Sequence, residues 1–234
     1  MIRRHDFNSQ WWGEPVGIVD DAAFFQLSPE QRALALTPYR WVEFKSRLQT
    51  APPLEMLNDA GFILADTQLE FRIALKNGAP GACGDVQAQF ADDAPFELRE
   101  EDLSLFEHER YRHVPGSNSQ RINRRYFEWG RQLIRDHPAC CLQITARGAR
   151  QGWFLSRPAA GLNLTIAMLH REARIPGFVL YERALQAYAA RGHRMGWASF
   201  SVLNTAVLNI YARLGARFTA PTGVWLWTGG QATR

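Results

Sequence analysis

Apolar and polar positions alternate most clearly between Phe62 and Ala74, where Leu69, Phe71 and Ile73 fall on one side and Glu70 and Arg72 on the other. That period of two predicts a half-buried strand. Strand-like runs also occupy Val16–Phe25 and Arg40–Phe44, and Pro53–Gly61 predicts a short helix closed by glycine. Further along, Asp85–Gln89 reads as a strand, and Glu100–Phe106 as a helix with an acidic first turn, which the helix dipole favours. Tyr111–Gln120 reads as a loop, and Arg121–Asp136 as a helix with Tyr126, Trp129, Leu133 and Ile134 on one face. Cys140–Thr145, Gly152–Ser156 and Leu162–Leu169 predict three antiparallel strands, the first two joined by a turn at Ala146–Arg150. Phe178–Ala190 is a helix, Met195–Val202 a buried strand, and Asn204–Leu214 a helix with Val207, Leu208, Tyr211 and Leu214 at apolar-face spacing. Asn204 stands where an N-cap is expected and Gly215 where a left-handed C-cap is expected.

The order from residue 85 onward is therefore β-α-α-β-β-β-α-β-α-β. Between residues 76 and 84 three glycines and a proline fall within nine positions, the strongest linker signal in the chain. The expected organisation is a small N-terminal α/β lobe (1–75), a linker (76–84) and a larger α/β domain of the α+β kind (85–234), with a central mixed, mostly antiparallel sheet flanked by helices.

Composition narrows the function. With 234 residues, 46% hydrophobic and 21% charged, the chain is an ordinary globular protein with room for a sizeable core. The net charge of +4 comes without a long basic block, so a groove for an anionic nucleotide explains it better than a nucleic-acid surface. Cys83, Cys140 and Cys141 have no metal spacing and no disulfide framework. Cys140 and Cys141 fall within a strand-like run, where packing explains them better than nucleophilic chemistry. The six histidines and the acids show no metal-ligand spacing, so no metal is expected. No secretory leader and no apolar run of about 20 residues is present in the sequence, so the expectation is a cytoplasmic protein with no membrane partner.

The stretch Asn204-x-x-Val-x-x-x-Tyr211-x-x-x-Gly215-Ala-Arg-Phe218, preceded by a buried strand, resembles the ending of the GNAT family of acyl-CoA N-acyltransferases. That family's usual alanine is Val207 here, and Ala216 follows the glycine. The resemblance implies the GNAT fold, acetyl-CoA or another acyl-CoA as cosubstrate, and direct transfer to a primary amine in a ternary complex. It also implies a diphosphate-binding turn, Gln/Arg-x-x-Gly-x-Gly/Ala, opening a helix whose free N–H groups meet the phosphates. The equivalent stretch is Glu172-Ala173-Arg174-Ile175-Pro176-Gly177-Phe178, in which Ile175 stands for the first glycine and Gly177 for the second. Arg171 or Arg174 would add charge there, and the same turn also fits an ordinary loop.

By the same resemblance, the strand Asn163–Leu169 offers a main-chain donor to the thioester carbonyl near its bulge, at Met168 or Leu169. Asn204 would reach the pantetheine arm as well as cap its helix. Tyr211 would be the general acid beside the CoA sulfur, or else a core aromatic. His170 is the candidate general base, with Glu107, His108, Glu109 and His113 or an ordered water as alternatives. Trp11–Gly17, Tyr39–Lys45, Leu54–Phe62, Glu70-Phe71 and Arg124–Trp129 further resemble the TDP-fucosamine acetyltransferases, which acetylate an amino sugar on a nucleotide carrier. Arg110, Arg112 and Arg121 are then candidates for the carrier's phosphates. Two other readings stay open: a GNAT enzyme acting on a protein, amino-acid or antibiotic amine, and a non-catalytic interaction module. Strand Thr222–Thr228 either pairs two copies into a homodimer or is buried within one.

Overall fold

A computed structural model describes residues 1–76 and 85–229. The linker expected at 76–84 lies almost wholly outside the described residues. In chain order the elements are β1 (Ile2–Arg4), α1 (Asp6–Trp12), β2 (Val16–Val19), α2 (Pro29–Leu36), β3 (Trp41–Arg47), α3 (Leu54–Asp59) and β4 (Ile63–Ala74). There follow β5 (Val86–Phe90), α4 (Ser119–Asp136), β6 (Cys141–Ala146), β7 (Ala149–Ala159), β8 (Gly161–Leu169), α5 (Gly177–Ala190), β9 (Met195–Ser201), α6 (Thr205–Arg213), β10 (Arg217–Phe218) and β11 (Thr222–Trp227).

These strands make one mixed sheet in the order β1-β2-β3-β11-β4-β9-β8-β7-β6-β5, with β10 also on β4. Only β2–β3 and β8–β9 are parallel among the described pairs. The N-terminal residues therefore do not end at their own sheet edge. β4 lies between β9 and β11, pairing antiparallel with both, from Gln68–Ser201 to Ala74–Met195 on one side. β11 in turn has β3 on its other edge. Both its edges are filled, so the alternative of a strand buried within one copy holds, and β11 has no edge to offer a second copy.

Alternation sorts the faces. Leu142, Ile144 and Phe154 pack with Leu180, Tyr181, Leu185 and Tyr188 of α5 and with Tyr211 of α6. Their neighbours Cys141, Trp153 and Leu155 pack with Phe127 and Leu133 of α4 on the opposite face. Around β3 and β11, Phe24, Phe25, Phe44, Leu57, Phe62 and Trp225 fill one side, and Trp12, Trp41, Tyr111 and Leu226 the other.

Local signals account for most boundaries. The β6–β7 hairpin turns on Arg147 and Gly148, both with positive φ (49° and 76°), the conformation that a tight two-residue hairpin turn requires. Helix α2 opens with a capping box in which the Ser28 side chain accepts from Gln31 N–H and the Gln31 side chain accepts from Ser28 N–H.

Three expectations change. The run Val16–Phe25 stops being a strand at Val19, because the Asp21 carboxylate accepts from Ala23 N–H at 2.9 Å and opens a 3₁₀ turn. Glu100–Phe106 forms only one 3₁₀ turn at Glu100–Asp102, since Leu103 bridges to His170 and Ser104 N–H donates to Leu169 O. Ile210, rather than Leu208, joins Val207, Tyr211 and Leu214 on the packed side of α6.

Because β4 fills the sheet between β9 and β11, residues 85–234 made alone would expose β9 along its whole length and leave Phe71 missing from the core. That fragment is expected to show no cooperative transition in thermal circular dichroism, whereas the full chain shows one. A sharp transition in the fragment would establish 85–234 as an independent domain.

Candidate active site

Parallel strands β8 and β9 pair at only two positions, Leu162–Gly196 and Asn163–Trp197. Beyond them the strands part. Where β8 leaves β9 it carries an extra residue relative to β7, since Leu155 pairs with Ile166 but Arg157 pairs with Asn163. This bulge at Leu164–Thr165 bends the strand and leaves main-chain groups on its β9 side without a ladder partner. At the base of the fork the strands come close, and a Cβ on Gly196 would stand 2.9 Å from Leu164 Cδ1.

The gap opens into a cavity of about 430 Å³. One part of its wall is aromatic and comes from Phe71, Tyr181, Phe200 and Tyr211. Another part is polar and comes from Lys45, Asp66, Glu109, Arg110 and Arg125. Asn163 to Ala167 supply the β8 side. Strands β3 and β4 thus build part of the same wall as β8 and β9.

Tyr211 is buried, with its ring 3.9 Å from that of Phe71 and edge-on to Tyr181 at 5.3 Å. Its hydroxyl has no hydrogen-bond partner among the described residues. Burial, reinforced by neighbouring Tyr181 and Tyr188, holds its pKa well above the usual tyrosine value. Tyr188, by contrast, is fully engaged, donating to Phe154 O at 2.8 Å and meeting the Ser156 hydroxyl at 3.0 Å.

Asn204 lines the cavity and also caps α6, its Oδ1 accepting from Val207 N–H at 3.2 Å. Gly215 has φ +83°, as a left-handed C-cap needs.

The other sequence candidates sit elsewhere. Met168 turns away from the cavity onto α4, and its side chain occupies the space that a Cβ on Gly130 would need. Leu169 O is held by Ser104 N–H. The strand's bulge therefore falls earlier than Met168–Leu169, and the main chain facing the cavity is Asn163–Ala167. His170 lies outside the cavity wall. Its Nε2 is 3.6 Å from Asp102 Oδ1 and its Nδ1 accepts from Glu172 N–H at 3.1 Å, while Arg171 N–H donates to Asp102 O at 2.8 Å and ties the end of β8 to the 3₁₀ turn at Glu100–Asp102. Among the other candidate bases, His108 and Glu109 line the cavity. Of the arginines, Arg112 bonds Glu107 O, and Arg121 covers the Trp12 ring and bonds Trp12 O.

The turn before α5 has a feature that sequence reading missed. Gln151, buried on β7, accepts with one oxygen from both Arg174 N–H (2.9 Å) and Ile175 N–H (3.1 Å). Ile175 packs against the main core and has no positive φ, so its position does not demand glycine. Pro176 has no N–H and occupies the N-cap position of α5. The N–H groups of Gly177 and Phe178 have no acceptor among the described residues. A Cβ on Gly177 would stand 3.2 Å from Ile210 Cδ1, and the Phe178 ring is covered by the Arg213 guanidinium at 3.9 Å. The start of α5 is thus set against α6, with two free donors and a cation beside it.

The polar wall is an ion cluster. Glu43 is buried and accepts from Arg110 Nε at 2.7 Å, with Lys45 Nζ at 3.3 Å. Arg110 also donates to Tyr111 hydroxyl at 2.8 Å and faces Glu109 at 3.5 Å. Glu109 accepts in turn from the Tyr126 hydroxyl. Asp66 accepts from Ser201 hydroxyl at 2.6 Å and from Gln68 at 3.2 Å and has no arginine or lysine partner among the described residues. Among the described residues no group of His, Cys, Asp and Glu could hold a metal ion, and no helix is long and apolar enough to cross a membrane.

Against solved structures, the chain superposes on a GCN5-related N-acetyltransferase from Sphaerobacter thermophilus with a TM-score of 0.54 and 17% identity. The match covers 80% of this chain and 59% of that one, so the chain spans about three fifths of its length. It matches a tandem GNAT protein from the clavulanic acid biosynthesis pathway equally well, with TM-score 0.54 and 15% identity over 94% of this chain and 77% of that one. The fold is the GNAT fold. In sequence the chain also resembles an acetyltransferase: it is 27% identical over 196 residues to dTDP-fucosamine acetyltransferase of Escherichia coli O6:H1, covering 82% of this chain and 84% of that protein. No family model matches the chain.

The ion cluster predicts a pH dependence. Burial alone would raise the Glu43 carboxyl, but Arg110 and Lys45 outweigh it and hold the pKa at about 2, below the ordinary 4.5. A carboxylate depressed in the folded state stabilises the fold above about pH 4.5 and loses that contribution as pH falls toward 2, roughly 3 kcal/mol by linkage. Denaturant titrations should show stability falling across this window. In Glu43→Gln this acid-dependent loss should shrink, and the variant should be less stable at pH 7 because Arg110 and Lys45 lose the carboxylate they share.

Proposed function

We propose that this chain is an acyl-CoA-dependent N-acyltransferase that uses acetyl-CoA to acetylate a primary amine on a nucleotide-linked amino sugar. The observation that carries the transferase part is the open fork between β8 and β9 with Tyr211 in its wall. It supplies unpaired main-chain groups for the amides of a pantetheine arm and a protonated phenol for the departing sulfur. The free N–H groups of Gly177 and Phe178 at the start of α5 suit the CoA diphosphate, with Gln151 keeping the preceding turn in shape.

In this reading the amine nitrogen attacks the thioester carbonyl, and the oxyanion that forms is met by a main-chain N–H of β8 between Asn163 and Ala167. As the C–S bond breaks, the Tyr211 hydroxyl gives its proton to the leaving thiolate, which departs as coenzyme A, and the phenolate regains a proton from water once the products leave. A phenol held well above its ordinary pKa keeps its proton at neutral pH, so it can serve only as donor. The proton shed by the amine goes to Asp66, directly or through water. Asp66 is the cavity carboxylate that no arginine or lysine claims, whereas Glu109 is committed to Arg110 and Tyr126. Holding both substrates in one cavity supplies much of the rate by proximity.

The amino-sugar part rests on two supports. The relative in sequence is named for dTDP-fucosamine. The polar wall, built partly by β3 and β4, is rich in cations (Lys45, Arg110, Arg125), which favours an acceptor bearing negative charge over a basic peptide.

Tyr211→Phe should lower kcat by about 10²-fold, the usual scale for a lost general acid, with acetyl-CoA affinity almost unchanged in calorimetry. Equal losses in both would make Tyr211 a packing residue. Gln151→Leu should raise KM for acetyl-CoA while leaving the reaction with S-acetyl-pantetheine, which lacks the diphosphate, unaltered. If the parent enzyme does not distinguish these two donors, the diphosphate does not bind at Gly177.

A further inference from the structure

Arg125 on α4 is a buried cation of the cavity wall that has no counterion among the described residues, whereas Arg157, also of that wall and also unpaired, is exposed. Its side chain is buried, with the residue only 5% exposed, and it makes no ion pair among the described residues. Nη2 donates to Asn8 Oδ1 at 3.1 Å, Nε is buried with no acceptor, and Nη1 has no described partner. Four rings surround the guanidinium: Tyr111 at 4.5 Å, Phe7 at 5.2 Å, Trp129 at 5.6 Å and Tyr126 at 5.8 Å. They fix its plane and partly offset its desolvation but neutralise none of its charge. The carboxylates of the cluster belong to other groups, Glu43 to Arg110 and Lys45, and Glu109 to Arg110 and Tyr126. A buried charge is ordinarily paired, because its desolvation is otherwise uncompensated. Here the uncompensated charge borders a cavity.

We propose that Arg125 is the anion-binding residue of the acceptor side: the amine substrate carries a phosphate or carboxylate group that pairs with this guanidinium, held in place by the aromatic rings and Asn8. The proposal rests on the cavity being the acceptor side of an acyltransferase. It extends that reading by naming the residue that selects anionic amines. Nη1, whose N–H groups have no described acceptor, is free to donate to an oxygen of either anion.

The test supplies the missing counterion from inside. Asn8→Asp keeps the shape of the residue already bonded to Arg125, and Tyr111 hydroxyl, which now accepts from Asn8 Nδ2 at 3.0 Å, is able to donate instead. Calorimetric titrations would use the full chain saturated with coenzyme A, so that the donors at Gly177 and Phe178 are occupied. The probes are pyrophosphate, dTDP, thymidine and N-acetylglycine. In the parent protein dTDP should bind and thymidine should not if the anion is a phosphate, and N-acetylglycine should bind if it is a carboxylate; either pattern supports the proposal. Asn8→Asp should weaken the binding anion by about tenfold or more while holding or raising the melting temperature. Arg125→Met should abolish the binding, and if it fails to fold, Asn8→Asp alone decides. Anions that bind Asn8→Asp as tightly as the parent, or thymidine binding as well as dTDP, would overturn the proposal, as would no anion binding at all. Coenzyme A is the separate control: failure to raise the melting temperature of either protein counts against the acyltransferase reading, while the difference between parent and Asn8→Asp still judges Arg125.

Discussion

A sheet interior is a costly place to leave backbone unpaired, yet the centre of this sheet does so where β8 and β9 part after two residue pairs. Everything around the fork keeps it open. The bulge at Leu164–Thr165 bends β8 away, and the close approach of Gly196 to Leu164 pins the closed end. Tyr181 and Tyr211, reaching over from α5 and α6, wedge the space between with rings packed on Phe71 and Phe154. Without these rings the gap would be an apolar void, which packing does not tolerate. With them it is a lined cleft whose free main-chain groups require a ligand or water. The chemistry of the site follows from that constraint, since a strand edge that cannot reach its neighbour is what an amide-bearing arm can add to.

The strand on the far side of β9 gives the first 76 residues their place in function. β4 contributes Phe71 to the aromatic wedge and Asp66 and Gln68 to the polar wall, all on one strand that pairs with β9 over Gln68–Ala74. β3 sends Lys45 into the same wall, and the buried Glu43 beside it couples this strand to Arg110 of the 108–113 segment. The polar wall is therefore assembled from β3 and β4 together with the 108–126 stretch and held by ion pairs sheltered from water, where charge interactions are strongest.

How much of this the sequence disclosed depends on how local the cause was. Strand β4 was legible because alternation at Leu69, Phe71 and Ile73 needs nothing beyond neighbours in the chain, and α6 because Asn204 and Gly215 cap it with their own side chain and φ. The helix at Glu100–Phe106 failed because long-range bonds from Leu103 and Ser104 to the end of β8 outcompete an acidic first turn. His170 was placed by the sequence at the end of the β8 strand, and its nearness to Asp102, in the distant 3₁₀ turn, is a contact that no local pattern reveals. Helix α2 was legible and overlooked, since Ser28-Pro29-Glu30-Gln31 is a capping box in plain view. Asp66 stood outside any motif, and Lys45 and Arg125 fell within stretches that carry the resemblance but had no expected role, because what brings them to the cavity is the insertion of β4 into the sheet and the burial of α4.

The turn at 172–178 shows why departure from a family pattern does not by itself argue lost chemistry. A glycine at position 175 would serve if the backbone needed a left-handed residue or if a phosphate had to touch that Cα. Neither condition applies: Ile175 has no positive φ and drives its side chain into the core, and its N–H is drawn inward by Gln151. The same buried oxygen takes Arg174 N–H, so the two donors before Pro176 are satisfied by the protein itself. What remains for an external anion is the pair at Gly177 and Phe178, at the positive end of a 14-residue helix. Exchanging glycine for isoleucine thus moves the turn's rigidity from backbone geometry to a side-chain clamp and core packing, and leaves the start of the helix with donors to spare.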